Sequence, residues 1–189
     1  MIKSELRREI LSRRKSLTQE IRAEYSRIIS QTLISLPEFI DAQTVHCYLS
    51  FGTEVETDII RQTALRSQKK VAVPLHENNN SSLKHYFISE NQAFTIGQWG
   101  VPIPICKESE LLSSTELALS KTDIIIVPLV AFDRMKHRLG YGKGYYDRFL
   151  HNTDSLKIGL GFSIQEVENI PFESHDEFLS VIITESYIF

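Results

Sequence analysis

The sequence predicts a layered α/β fold with a mainly parallel sheet, and two observations carry that expectation. Ile124-Ile125-Ile126-Val127 is a short, β-branched, wholly apolar run, as in a parallel strand covered on both faces. Further strand-like runs alternate along the chain with segments of helical periodicity, the pattern of parallel sheets joined by helical crossovers. A length of 189 residues suits one domain with a sizeable core. With 42% hydrophobic and 24% charged residues, the composition is that of a globular protein and too apolar for a disordered one.

In order along the chain, Ser4 is expected to cap a first helix carrying Leu6 and Ile10. Ser16-Leu17-Thr18-Gln19 fits a capping-box start for a second, with Ile21, Tyr25, Ile28, Ile29 and Leu33 on one stripe and Pro37 as its end. This N-terminal helical arm, about residues 1–36, is expected to pack on an α/β body. Residues 45–49 read as a buried strand, 57–68 as a helix and 71–73 as a second strand. A polar turn over 77–82 holds three consecutive Asn, and 83–88 alternates as a strand. Residues 97–104 carry two Gly, two Pro and the only Trp, which predicts a loop. Pro128 stops the isoleucine strand, and residues 157–162 and 181–184 complete the strands.

The net charge of −3 gives no global cationic field for nucleic acid. Its distribution is uneven: residues 1–30 hold eight Lys and Arg against four Glu, which leaves +4 there and −7 elsewhere. Such an arm can be a solvated helix face or can reach a bound anion. Cys47 and Cys106 form no C-x-x-C pair and no zinc spacing, and Cys47 reads as a small core residue. No apolar h-region opens the chain and no apolar run approaches the roughly 18 residues of a membrane span, so the expected location is cytoplasmic.

The chemistry concentrates in Arg138-Leu139-Gly140-Tyr141-Gly142-Lys143-Gly144-Tyr145-Tyr146-Asp147-Arg148, where three of the eight glycines fall within five residues. Alternating Gly allows φ > 0 and lets backbone N–H groups converge on an oxyanion. Lys143 lies inside this loop, Arg138 and Arg148 flank it, and a helix predicted from about Gly144 would add its positive end. The loop departs from the dinucleotide, Walker and kinase templates. Asp147 suits Mg²⁺ beside phosphates, but equally suits the first turn of a helix as a dipole complement.

Phe132-Asp133 followed by Arg138-Leu139-Gly140-x-Gly142-x-Gly144-Tyr145-Tyr146-Asp147 resembles the signature of the 5-formyltetrahydrofolate cyclo-ligase family, also called methenyltetrahydrofolate synthetases. Lys3-x-x-Leu6-Arg7, Glu54-x-Glu56-Thr57, Trp99 with Pro102 and Pro104, His175-Asp176 and Thr184-Glu185 extend the likeness over nearly the whole chain. The resemblance implies a single-domain, three-layer α/β/α sandwich over residues 1–189. It implies an enzyme that uses ATP and Mg²⁺ to turn 5-formyltetrahydrofolate into 5,10-methenyltetrahydrofolate. By the same resemblance Lys3, Arg7, Arg138, Gly140, Tyr141, Gly142, Lys143, Gly144, Tyr145 and Tyr146 line ATP. Leu49, Glu54 and Trp99 face the folate, together with Tyr141, Gly142, Lys143, Gly144 and Tyr145. Asp147 holds the metal, and Lys143, Arg148 and Tyr145 are the expected catalytic groups. A monomer is expected, acting on a folate that can carry a polyglutamate tail, with no nucleic-acid or membrane partner.

Two positions depart from the family pattern. Lys136 stands in a turn that usually has Gly, which implies a different turn or a left-handed lysine. Ser180 stands near where the family carries a further Asp, with Asp176 as a loosely held alternative second ligand. Competing readings are a sugar-phosphate isomerase-like enzyme of similar architecture and a folate- or nucleotide-binding regulator without catalysis.

Overall fold

The computed structural model describes residues 2–76, 82–97, 100–173 and 176–189. Its centre is a six-stranded sheet built from β1 (Thr44–Cys47), β2 (Lys70–His76), β3 (Leu83–Ile88), β6 (Ile124–Pro128), β9 (Leu156–Leu160) and β10 (Val181–Ile183). The spatial order is β10-β9-β6-β1-β2-β3, and only the β2–β3 pair is antiparallel. Two small hairpins stand apart: β4 (Phe94–Ile96) with β5 (Pro102–Pro104), and β7 (Ala131–Phe132) with β8 (Arg138–Leu139).

Strand alternation divides the core between the two faces of the sheet. Val45, Cys47, Val71, Val73, Ile124 and Ile126 point to one face, where Ile29 and Leu33 of α2 (Gln19–Ile34), Phe39 of α3 (Pro37–Asp41) and Ile60 and Ala64 of α4 (Asp58–Arg66) cover them. Ala72, Ile125, Val127 and Ile182 point to the other face, against Phe149 and Leu150 of α5 (Tyr145–His151). Both faces are covered, which is why the isoleucine run can be apolar without alternation. The architecture is therefore the three-layer α/β/α sandwich. Leu6 and Ile10 of α1 (Lys3–Ser16) pack with Val130, Ala131, Leu139 and Ile170, so the first helix sits over the segment that follows β6.

Several local expectations need correction. Ile2, not Ser4, is the N-cap of α1, and Ser4 lies inside the helix. The cap of α2 is Thr18, whose hydroxyl accepts from the Ile21 amide, while Ser16 closes α1; the chain needs only Leu17 and Thr18 to turn between the two helices. Pro37 does not end α2 but opens α3, where a missing N–H costs nothing. Within the 97–104 segment expected as a loop, residues 102–104 form β5 and pair with residues 94–96 as β4, because Pro102 and Pro104 occupy an isolated edge that tolerates a missing donor. The 71–73 strand extends over seven residues.

A buried histidine pair lies on the second face. His46 of β1 and His85 of β3 are both fully buried, with Nε2 of the first 3.1 Å from Nδ1 of the second. His85 Nε2 meets the Ser114 hydroxyl at 3.0 Å, and the Phe149 ring lies 4.7 and 4.6 Å from the two imidazoles. Burial holds His46 well below the usual imidazole range and pulls His85 down to about 4. The unfolded chain therefore takes up protons as pH falls below about 6.5, while the folded chain resists until near 4. Stability present above 6.5 is lost on the way down, with His85 alone contributing about 2 kcal/mol of loss by pH 5. Urea unfolding at pH 7.5 and pH 5 should show this loss, and His85→Gln should reduce it by the His85 share while His46 keeps its own. Equal stability at the two pH values in the wild type would contradict the assignment.

Candidate active site

The sheet order reverses between β1 and β6. From β1 the chain crosses through α4 to β2 on one side; from β6 it crosses through α5 to β9 on the other, and the two helices cover opposite faces. A crevice opens at the carboxyl ends of such diverging strands. The segments leaving these strands are 48–57, which holds Leu49 and Glu54, and 129–144, which holds the glycine loop.

Each loop glycine faces a guanidinium. A Cβ built on Gly140 would lie 3.3 Å from Arg138 NH1, one on Gly142 would lie 3.1 Å from Arg7 Cζ, and one on Gly144 would lie 2.8 Å from Arg148 NH1. Arg7 reaches the loop from α1 and donates through Nε to the Gly140 carbonyl at 2.7 Å. Arg148 donates to the Lys143 carbonyl at 3.1 Å, with its guanidinium 5.5 Å from the Tyr145 ring centre. Gly142 (φ 94°) and Gly144 (φ 68°) hold backbone conformations that L side chains adopt only with strain, and Gly144 caps α5. That helix has seven residues, so its dipole adds little, and the three guanidinium groups with Lys143 carry the positive charge. Lys143 is exposed in the loop.

Arg138 is buried and forms an ion pair with Asp147 Oδ1; the Asp147 side chain remains 25% exposed. Burial lowers the pKa of Arg138, and the charge of Asp147 opposes that shift. Tyr145 and Tyr146 both pack against the second core face, and the buried Tyr146 hydroxyl has no hydrogen-bond partner among the described residues. Leu49 is buried in the first core face beside Val45 and Tyr48. Trp99 and His175 lie outside the described residues.

Lys3 pairs with two carboxylates, 2.7 Å from Asp176 Oδ2 and 3.0 Å from Glu173 Oε1. The two departures from the family pattern meet one another. Lys136 takes φ 67°, the left-handed conformation, and its ammonium donates to the Ser180 carbonyl at 2.8 Å. The Ser180 hydroxyl accepts from the Lys157 amide at 3.2 Å. The fully buried carboxylate of Asp133 organises this turn by accepting from the amides of Met135, His137 and Ile170.

Glu54 is 6% exposed and stands against the glycine loop. Its Oε1 accepts from the Tyr141 hydroxyl at 2.8 Å and its Oε2 from the Phe51 amide at 3.1 Å. Burial raises its pKa, against the pull of these donors and of Arg14. Arg14 and Phe51 belong to this arrangement, and sequence reasoning passed over both. A signal existed for the first: Leu6, Ile10 and Arg14 share one helical stripe, so a cation interrupts an apolar seam.

The model of the 5-formyltetrahydrofolate cyclo-ligase family matches residues 1–185. The chain belongs to this family. It is 31% identical over 183 residues to the 5-formyltetrahydrofolate cyclo-ligase of Escherichia coli (strain K12), covering 95% of this chain and 98% of that protein. It is 33% identical over 180 residues to the Haemophilus influenzae 5-formyltetrahydrofolate cyclo-ligase, covering 92% of each. Among solved structures, the 5,10-methenyltetrahydrofolate synthetase of Aquifex aeolicus superimposes with a TM-score of 0.81 at 31% identity, covering 100% of this chain and 92% of that one. That of Mycoplasma pneumoniae superimposes with a TM-score of 0.74 at 25% identity, covering 98% and 99%. The chain is thus an enzyme of the cyclo-ligase class, a ligase of folate one-carbon metabolism. Among the described residues, no helix is long and apolar enough to cross a membrane.

Proposed function

We propose that this ligase converts 5-formyltetrahydrofolate into 5,10-methenyltetrahydrofolate, with ATP as phosphoryl donor and ADP and phosphate as co-products. The observation that carries this reading is the loop in which Gly140, Gly142 and Gly144 each lie against a guanidinium, at the carboxyl ends of the sheet's diverging strands. A polyphosphate needs convergent cations and close backbone approach, and phosphoryl transfer needs positioning and charge neutralisation more than a protein nucleophile.

In the proposed sequence the formyl oxygen attacks the γ-phosphorus and ADP leaves. N10 then adds to the activated carbon and gives up its proton. That addition closes the five-membered ring; the carbon–oxygen bond then breaks and phosphate departs, leaving the methenyl cation shared between N5 and N10. Arg7, Arg138, Lys143 and Arg148 hold the phosphates, Lys143 and Arg148 meet the charge of the transferring group, and Tyr145 shapes the wall beneath Arg148. Lys3 supports the nucleotide side of α1. Glu54, set by Tyr141, accepts a hydrogen bond from the folate; Leu49 backs the folate ring pocket, and Trp99 belongs to the same wall.

A lone carboxylate at the phosphate loop fits Mg²⁺, which takes one or two protein carboxylates with phosphate oxygens and water. Asp147 would hold the ion, although Arg138 already occupies one of its oxygens. The ion would neutralise phosphate charge. The Ser180 hydroxyl, engaged with the Lys157 amide, makes no second ligand in this arrangement. A monomer located in the cytoplasm, accepting polyglutamylated folate, goes with this reading.

Purified protein supplied with 5-formyltetrahydrofolate, ATP and Mg²⁺ should accumulate methenyl absorbance with equimolar phosphate release, and should stop when any one component is withheld. Product formed without ATP, or nucleotide and folate bound with no turnover, would contradict the reading.

A further inference from the structure

Arg14 is a buried cation outside the glycine motif. Its side chain comes from the end of α1 and is 3% exposed. Nε donates to Thr53 Oγ1 at 2.9 Å, NH1 to the Leu129 carbonyl at 3.4 Å and NH2 to the Tyr141 hydroxyl at 2.8 Å. These three partners belong to both segments that bound the crevice: Thr53 to the one after β1, Leu129 and Tyr141 to the one after β6. The chain of donors continues, because Tyr141 passes its own hydroxyl proton toward Glu54 Oε1 at 2.8 Å.

A phenol stands between two buried ions in this arrangement. The guanidinium donates to the phenol oxygen, which makes the phenol a stronger donor to the carboxylate. The Tyr141 hydroxyl can rotate, and an Arg14 N–H pointing at its oxygen favours the rotamer whose proton faces Glu54. Glu54 is nearly buried and pairs directly with no cation among the described residues, so the nearest compensation for its charge is Arg14, one phenol away. Tyr141 also sits between Gly140, bonded to Arg7, and Gly142, packed under it.

We propose that Arg14 is a positioning residue for this enzyme: through the Tyr141 hydroxyl it keeps Glu54 set to receive the folate. This rests on the reading that Glu54 faces the folate. Arg14 itself touches neither substrate.

The test is a double-mutant cycle of Arg14→Met and Tyr141→Phe, with separate KM determinations for 5-formyltetrahydrofolate and ATP and a thermal melt of each variant. Arg14→Met should raise the folate KM about tenfold or more and leave the ATP KM within about threefold, because buried Glu54 loses its nearest compensating charge while the Arg7 contacts with the loop stay in place. The double variant should be no worse than the poorer single variant, since both changes break one chain of hydrogen bonds. Arg14→Lys keeps the charge and one donor; it should recover part of the folate KM, and it carries the same cycle if the methionine variant does not fold. Multiplicative losses in the cycle, or KM values that rise together for both substrates, would show that Arg14 merely braces α1 and would overturn the proposal. A wild-type enzyme that turns over no 5-formyltetrahydrofolate would instead defeat the underlying functional reading, and the two failures are distinguishable in the same assay.

Discussion

Lys143→Ala is expected to lower kcat/KM by about 10²-fold while the melting temperature stays at the wild-type value. Lys143 lies between two glycines of positive φ, exposed, with no hydrogen bond or ion pair of its ammonium among the described residues. An exposed side chain of that kind contributes little to folding, and its removal normally changes stability by about 0.5 kcal/mol or less. A cation aimed at a developing phosphoryl charge is a different matter: removing one such preorganised contact typically costs about 10²-fold or more in rate. Activity and stability therefore separate cleanly at this residue. Asp147 is a poorer probe, because its carboxylate pairs with buried Arg138 and its loss would strand that charge. A folded Lys143→Ala enzyme with wild-type kcat/KM would remove the loop from the catalytic site.

Gly142→Ala should be nearly as damaging, through geometry instead of charge. The new Cβ would lie 3.1 Å from Arg7 Cζ and 3.3 Å from both terminal nitrogens, in a backbone conformation with φ of 94°. Strain of that sort costs on the order of 1–3 kcal/mol, and part of it is relieved by pushing Arg7 off the loop. The expected result is a fall in kcat/KM for ATP of about 10-fold to 10²-fold with a modest drop in melting temperature. Arg7→Ala should produce a similar kinetic loss without the drop. In the double variant the alanine methyl meets no guanidinium, so its kinetic cost should be well below the product of the two singles. Full ATP kinetics in a folded Gly142→Ala enzyme would show that Arg7 and the loop do not act on the nucleotide together.

The fold was legible because its strongest signals are local. The isoleucine run is apolar on both sides, and both faces of β6 are in fact buried. Element ends were less legible: Ile2 caps α1 in place of Ser4 and Thr18 caps α2 in place of Ser16, while Pro37 marks the start of α3 instead of the end of α2. The hairpin of β4 and β5 was hidden by its prolines, which signal a loop but are compatible with an isolated edge pair.

By itself, the chain's order of residues determined the glycine loop. Three glycines, Lys143, Arg138, Arg148 and Asp147 are contiguous, so backbone freedom and charge are brought together by covalent linkage alone. Which charges face the loop and which are neutralised was decided only by tertiary structure. Arg7 arrives on the loop from 133 residues away, Arg14 crosses between two segments, Lys3 turns to Asp176 and Glu173, and Arg138 takes up Asp147. The reason is electrostatic: in water all of these side chains are equivalent solvated ions, and only burial makes one pairing worth far more than another.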